Sequence, residues 1–268
     1  MSDITLVTAL YDINRDIYGD GRTFEEYLVW FSKTLKITTP MVIYVDESLV
    51  DFVKKERGSL PTKIITQSLE EVPYYSLNES INNILMSDNY RLKIDAPDRI
   101  ECKMSMYNVI IYSKFKWVEL AVKNNYFNSQ YFMWVDAGLS RFFGGIDNNY
   151  PSKNATETLI GCADHILIQT SMSYYPDLVE AEGCSGKYFW DSRSWVMAGL
   201  WGGGNKIMLE FCNEIENILT QKMIKNNVVN NEQIAMAYLY KNKPNMFIEF
   251  ENYAHIHRQY ELIQELGK

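Results

Sequence analysis

The chain opens on an apolar, β-branched run, Ile4–Leu10, that breaks into the polar stretch Tyr11, Asp12, Ile13, Asn14 and Arg15. A run of that kind predicts a buried strand followed by a loop. Thr23, Phe24, Glu25 and Glu26 have the form of a helix N-cap with an acidic first turn, and Phe24, Tyr27, Leu28, Phe31 and Leu35 then recur at helical spacing. Met41–Val45 repeats the opening pattern, an apolar strand closed by Asp46. Strand, helix and strand on short links form a βαβ unit, so the first two strands are expected to be parallel. Residues 48–57 predict a helix and Thr62–Thr66 a third strand. Over 67–103 the signals are mixed, with a weak helix at 79–86 and turn chemistry at 95–98, and the pattern does not order the segment.

The clearest helical pattern spans 105–125, where Tyr107, Ile110, Ile111, Trp117, Val118 and Ala121 form one apolar stripe. Lys114 falls inside that stripe. Two readings fit it: the long side chain snorkels to the surface, or its ammonium reaches a crevice and meets a phosphate. Tyr131–Val135 then sets five large apolar residues in a row, the signature of a strand buried on both faces, and ends on Asp136, Ala137 and Gly138. Ligands of open α/β sheets bind at the carboxyl ends of strands. Asp136 therefore either caps the following turn or points into the crevice toward a metal, a hydroxyl or a cation. Gly138 would let a ligand approach the backbone closely.

Arg141 is near enough to that strand end to serve a phosphate or carboxylate, unless it is simply solvated. Residues 165–169 predict a strand. Residues 188–199 predict two short strands or one bent one, opening into Leu200, Trp201, Gly202, Gly203 and Gly204. This glycine run is read as a sharp turn with close backbone approach to a ligand. It is not a nucleotide-triphosphatase loop, because Asn205 stands where the lysine must follow Gly204. Helices are predicted over 205–225, from the Asn231 cap to residue 240, and over 258–266, with a last strand at 246–250.

Composition narrows the function. The 268 residues are 47% hydrophobic with a net charge of −8 and a pI near 5.0, which argues against a nucleic-acid partner, since affinity for a polyanion needs clustered Lys and Arg. A phosphorylated small molecule would need a local group of cations or a divalent ion. Cys102, Cys162, Cys184 and Cys212 have no metal-ligand spacing and are expected as reduced thiols. With no basic leader and no run of eighteen apolar residues, the chain is expected to be soluble and cytoplasmic, or peripheral at the cytoplasmic face of a membrane. No G-x-G-x-x-G follows the first strand and no G-x-S-x-G elbow is present, which counts against dinucleotide oxidoreductases and α/β-hydrolases.

Thr8 to Tyr11, Ser113-Lys114, Phe132 to Gly138 with Ser140-Arg141-Phe142, and Ala198 to Gly203 together resemble the HtrL/YibB (WlaTC-like) family, regarded as glycosyltransferases. The resemblance implies a GT-A-like (Rossmann-like) α/β fold, a mixed, mostly parallel central sheet flanked by helices. It implies one domain over 1–268, with the nucleotide-sugar half at about 1–145 and the acceptor half at about 146–268. The activity implied is transfer of a sugar from a nucleotide-diphosphate donor, a UDP-sugar first, to a glycan, lipid-linked or protein acceptor. The donor would contact Thr8, Ala9, Tyr11, Arg15 and Asp46 at the first two strand ends, although Asp46 equally fits a helix cap. Lys114, Asp136, Gly138, Arg141, Gly202 and Gly203 complete the expected donor site.

Asp136 takes the place of the Asp-x-Asp metal motif, but the second carboxylate is absent. Mn²⁺ or Mg²⁺ would then be held by Asp136, phosphate oxygens and waters, with His255 and His257 as candidate further ligands. For the general base, Asp191 is placed ahead of Glu232: Asp191 sits among aromatics that suit a sugar ring, whereas a first-turn glutamate is explained by the helix dipole. A different class of function, a non-catalytic glycan-binding or scaffold protein, also fits 19 tyrosines and 6 tryptophans.

Overall fold

The computed structural model describes residues 3–144, 147–170, 187–191, 196–251 and 261–268. The strands are β1 (Ile4–Leu10), β2 (Met41–Val45), β3 (Thr62–Thr66), β4 (Tyr131–Val135), β5 (Ile166–Thr170), β6 (Leu200–Gly204) and β7 (Phe247–Glu251). The helices are α1 (Arg15–Tyr18), α2 (Phe24–Thr34), α3 (Val50–Arg57), α4 (Asn78–Leu85), α5 (Asp88–Lys93), α6 (Ser105–Asn124), α7 (Lys153–Gly161), α8 (Asn205–Asn217), α9 (Glu232–Asn242) and α10 (Glu261–Glu265).

The strands form one sheet in the order β3-β2-β1-β4-β6-β5-β7. β1, β2, β3 and β4 run parallel, with Leu6 opposite both Met41 and Met133. β6 is antiparallel to both β4 and β5, and β7 is parallel to β5. This is the mixed, mostly parallel α/β sheet that the resemblance implied. The order reverses at β1, with β2 and β3 on one side and β4 on the other, so the carboxyl ends of β1 and β4 border a topological switch point.

β2 and β4 are buried at every residue, because helices cover both faces. Val42, Tyr44, Phe132 and Trp134 face a layer that includes Val109, Trp117, Phe211 and Met236 of α6, α8 and α9. Met41, Ile43, Met133 and Val135 face a second layer with Phe31, Val53, Leu159 and Leu262 of α2, α3, α7 and α10. The helix periodicities follow: Thr23 makes the capping box with Glu26 that its spacing predicts. The unordered 67–103 segment holds α4 and α5, the latter started by Ser87, whose hydroxyl accepts from the Tyr90 amide. No described helix is long and apolar enough to cross a membrane.

The glycine run departs from expectation. Gly202 to Gly204 are not a turn but lie in β6, and every residue of that strand is buried. A methyl on Gly202 would come 2.7 Å from Met133, and one on Gly203 the same distance from the Ile166 side chain. A methyl on Gly204 would strike the Ala163 carbonyl. Close packing against neighbouring strands and the preceding loop therefore demands glycine here, and the local turn preference yields to it. The segment just upstream differs too: Lys187–Trp190 is a 3₁₀ turn rather than a strand. Cys102 and Cys212 are buried free thiols and Cys162 is half-buried, while Cys184 lies outside the described residues.

Candidate functional site

A cleft of about 250 Å³ opens over the switch point. Its floor is made by the strand ends: Ala9 and Leu10 of β1 with Tyr11 just after it, Asp136 to Gly138 after β4, and Gly199 before the antiparallel β6. One wall is α6, presenting Tyr107, Ile110 and Lys114, and another is the first turn of α9 with Glu232 and Gln233.

Lys114 is the centre of the site. It is 5% exposed, in the apolar stripe of α6, and it does not snorkel. Its Nζ lies 2.9 Å from Asp136 Oδ1 and 2.6 Å from Glu232 Oε1. Asp136 Oδ1 also accepts from the Trp134 indole at 2.7 Å, and the ammonium stands 5.7 Å from the Trp134 ring. Burial by itself would lower the lysine pKa, but the two carboxylates outweigh it and the ammonium is held charged, above its ordinary range. Glu232 is raised: burial opposes its charge more than Lys114 supports it, and Asp136 adds like-charge repulsion. One ammonium between two carboxylates leaves the triad with a single excess negative charge, and Glu232 is the member that accepts a proton more readily than an ordinary glutamate.

Arginines ring the triad. Arg15 follows Asn14, whose φ of 54° turns the chain in the left-handed region. Its guanidinium donates to both Asp20 oxygens at 2.7 and 2.8 Å and to the Tyr27 hydroxyl at 2.5 Å, and it covers the Tyr107 ring at 4.9 Å. Arg99 pairs with the buried Glu101 at 2.6 Å, and Arg22 lies 3.6 Å from Asp20. Arg141 is exposed and stacks on Trp30 and Phe142 at 4.9 and 4.6 Å. The cleft lining thus carries five cations, Arg15, Arg22, Arg99, Lys114 and Arg141, against the four carboxylates Asp12, Glu101, Asp136 and Glu232. Asp20, which holds Arg15 and Arg22, brings the local balance to five against five, so in a chain of net charge −8 the cleft is a gathering of cations that offsets its own carboxylates.

Two buried side-chain polar atoms on the lining have no hydrogen-bond partner among the described residues: the Tyr11 hydroxyl and Gln233 Oε1. Tyr11 is 6% exposed and stacks on Trp117 at 5.5 Å with rings 5° from parallel. Burial, and then the neighbouring Asp46 carboxylate, push its phenol well above the ordinary range, so it is a hydroxyl donor at any physiological pH.

The residues named from sequence divide accordingly. The cleft gathers Ala9, Tyr11, Arg15, Lys114, Asp136, Gly138, Arg141 and Glu232. Thr8 is fully buried inside β1 and is not on the lining. Asp46 caps the turn after β2, accepting from the Ser48 amide at 2.9 Å and hydroxyl at 2.7 Å, and these bonds hold its pKa down. Gly202 and Gly203 lie mid-strand and off the lining, as their packing requires. Asp191 is buried but does not line the cleft either, and its carbonyl accepts from the Asn230 amide group at 2.9 Å. Of the two carboxylates named as bases, the one in the first turn of α9, and not the one in the segment before β6, lines the cleft. Gly138 has a second duty, since a methyl there would come 3.2 Å from Trp30.

His255 and His257 lie outside the described residues. Among the described residues no group of three His, Cys, Asp or Glu side chains has the geometry to hold a metal, and the Asp136 oxygen nearest the triad is taken by Lys114 and Trp134. The described residues by themselves thus supply no three-ligand cage for a divalent ion, and Asp136 Oδ2 is engaged by neither Lys114 nor Trp134. Sequence reasoning missed Glu101, Arg99, Tyr107 and Gly199. Glu101 and Arg99 fall in the segment whose order the pattern does not give. Gly199 matters because its carbonyl accepts from the Asp136 amide at 2.9 Å and a methyl there would come 3.3 Å from Asp136 Oδ2.

The family model described as "Bacterial protein of unknown function (HtrL_YibB)" matches residues 2–253. The chain belongs to this family. No curated protein matches it. Among solved structures, mouse xyloside xylosyltransferase 1 in its apo form aligns at 7% identity over 93% of this chain and 84% of that one, with a TM-score of 0.41. A superposition that loose carries no weight for the reaction, and the family description assigns none, so the chemistry of the cleft is what speaks to function.

Proposed function

We propose that the cleft binds a nucleotide-diphosphate sugar, a UDP-sugar first, and that the protein transfers the sugar to a hydroxyl of a glycan, lipid-linked or protein acceptor. The observation that carries this reading is the Asp136–Lys114–Glu232 triad at the switch point, beside a gathering of arginines in an acidic chain. In the step, the acceptor oxygen attacks the anomeric carbon, the bond from that carbon to the phosphate oxygen breaks, and the nucleoside diphosphate leaves. The acceptor proton goes to Glu232, whose raised pKa suits a base. Lys114 and the arginines meet the charge that grows on the departing diphosphate.

Turnover of a panel of nucleotide sugars tests this. One donor should be consumed, and Glu232→Gln should lower the rate by about 10²–10⁴-fold while the fold and donor affinity persist. The rate should fall on the acid side as Glu232 takes up a proton, with a midpoint above the roughly 4.3 of an unperturbed glutamate. Binding without consumption for every donor would favour the glycan-binding or scaffold reading.

A further inference from the structure

Asp136 and Glu232 stand at the ends of two separate elements and converge on one nitrogen, Nζ of Lys114, at 2.9 and 2.6 Å. Two carboxylates that meet at a strand end would ordinarily be joined by a divalent ion. Here the joining charge is covalently part of the protein, 5% exposed, and flanked by the Trp134 indole, which donates to the same Asp136 oxygen. An ion entering that position would stand against a positive nitrogen where little water screens the repulsion. We propose that the Lys114 ammonium occupies the place of the divalent cation, so that the cleft binds its nucleoside diphosphate without Mg²⁺ or Mn²⁺. This rests on the nucleotide-sugar reading above.

The remaining phosphate charge needs a donor at the mouth of the cleft, because the triad keeps one excess negative charge. Arg141 has the right character. Its guanidinium is exposed, lies over the Trp30 and Phe142 rings, and is paired with no carboxylate among the described residues, so its N–H groups are open to a phosphate contact.

The test is calorimetric titration of UDP, GDP and ADP into the protein, once in EDTA and once in excess Mn²⁺. One diphosphate should bind with affinities that agree within about twofold in the two buffers. Arg141→Ala should weaken that binding about tenfold or more in EDTA. Lys114→Ala leaves the two carboxylates facing a space that an ion can enter, so Mn²⁺ should now raise the affinity by about tenfold or more. If that variant does not fold, the wild-type comparison and Arg141→Ala decide alone. Wild-type binding that requires Mn²⁺ overturns the inference and leaves the nucleotide-sugar reading standing, and loss of the Mn²⁺-supported binding in His255→Ala or His257→Ala would place the metal at those residues. No diphosphate bound in either buffer defeats the reading and the inference together.

Discussion

Arg57 and Lys114 are both buried cations, 2% and 5% exposed, yet they meet opposite surroundings at opposite edges of the sheet. Arg57 closes α3 near the starts of β2 and β3. It donates to the carbonyls of Leu35 at 3.0 Å, Thr39 at 3.2 Å and Pro61 at 2.8 Å, to the Thr62 hydroxyl at 2.7 Å, and to the Ile37 carbonyl. Every acceptor is neutral, and burial lowers its pKa to about 10. Lys114 has two carboxylates and no surplus of neutral acceptors. A charge satisfied by uncharged carbonyls ties loops together and has nothing left to exchange. A charge overmatched by carboxylates at the strand ends holds a site whose proton and charge balance a ligand can change.

The largest effect expected is from Lys114→Ala. Removing the ammonium leaves the buried Glu232 without its cation and facing the half-buried Asp136, at a cost of about 3 kcal/mol near neutral pH once the solvent screening of Asp136 is counted. The sign with pH follows from Glu232. Its folded pKa is already raised and rises further without Lys114, so the variant's stability is best preserved below the ordinary glutamate range and is lost as pH climbs through the folded value. Urea midpoints at acid and neutral pH check this. A loss equal at both would mean that Glu232 does not carry the charge.

Arg57→Met comes next. Four carbonyls and a hydroxyl lose their donor, for about 3 kcal/mol, but ligand affinity of the folded fraction should be unchanged because the cleft lies at the other edge. An altered affinity would erase the distinction between the two cations.

The two cations were not equally legible. Lys114 stood out because a charge in an apolar helical stripe breaks the pattern, and β1, β2 and β4 could be read because uninterrupted apolar runs end on polar residues. Its partner could not be read: Glu232 is 118 residues away, and a first-turn glutamate already has a local explanation. Asp191 was preferred on neighbouring aromatics, which turn out to serve the core, with Trp190 tilted on Tyr90 at 5.9 Å. The glycine run was misread for the converse reason. Glycine's local meaning is a turn, whereas its meaning in β6 depends on Met133 and Ile166, which only the assembled sheet brings near.

That difference gives a moderate prediction. Gly203→Ala should destabilise by about 1–3 kcal/mol through overpacking against Ile166 while leaving diphosphate affinity unchanged. Weakened binding at unchanged stability would return the glycine run to the ligand site.

The smallest effect separates two buried hydroxyls that lack a partner among the described residues, those of Thr8 and Tyr11. Each was named from sequence as a donor contact, but only Tyr11 lines the cleft. A buried hydroxyl with no partner costs free energy, so Tyr11→Phe and Thr8→Val should each leave stability the same or raise it by up to about 1 kcal/mol. The Tyr11 ring keeps its stack on Trp117 in the phenylalanine variant, since the stack does not use the oxygen. Ligand affinity should then divide them. Tyr11→Phe removes one hydrogen bond to the ligand, worth about 0.5–1.5 kcal/mol or up to roughly tenfold in affinity, and Thr8→Val removes none. Titration of both variants with the diphosphate that binds the wild type reads the difference directly. Equal affinities would mean that the Tyr11 hydroxyl is unpaired for a structural reason, as Thr8 is, and that the ligand sits further out, toward Arg141.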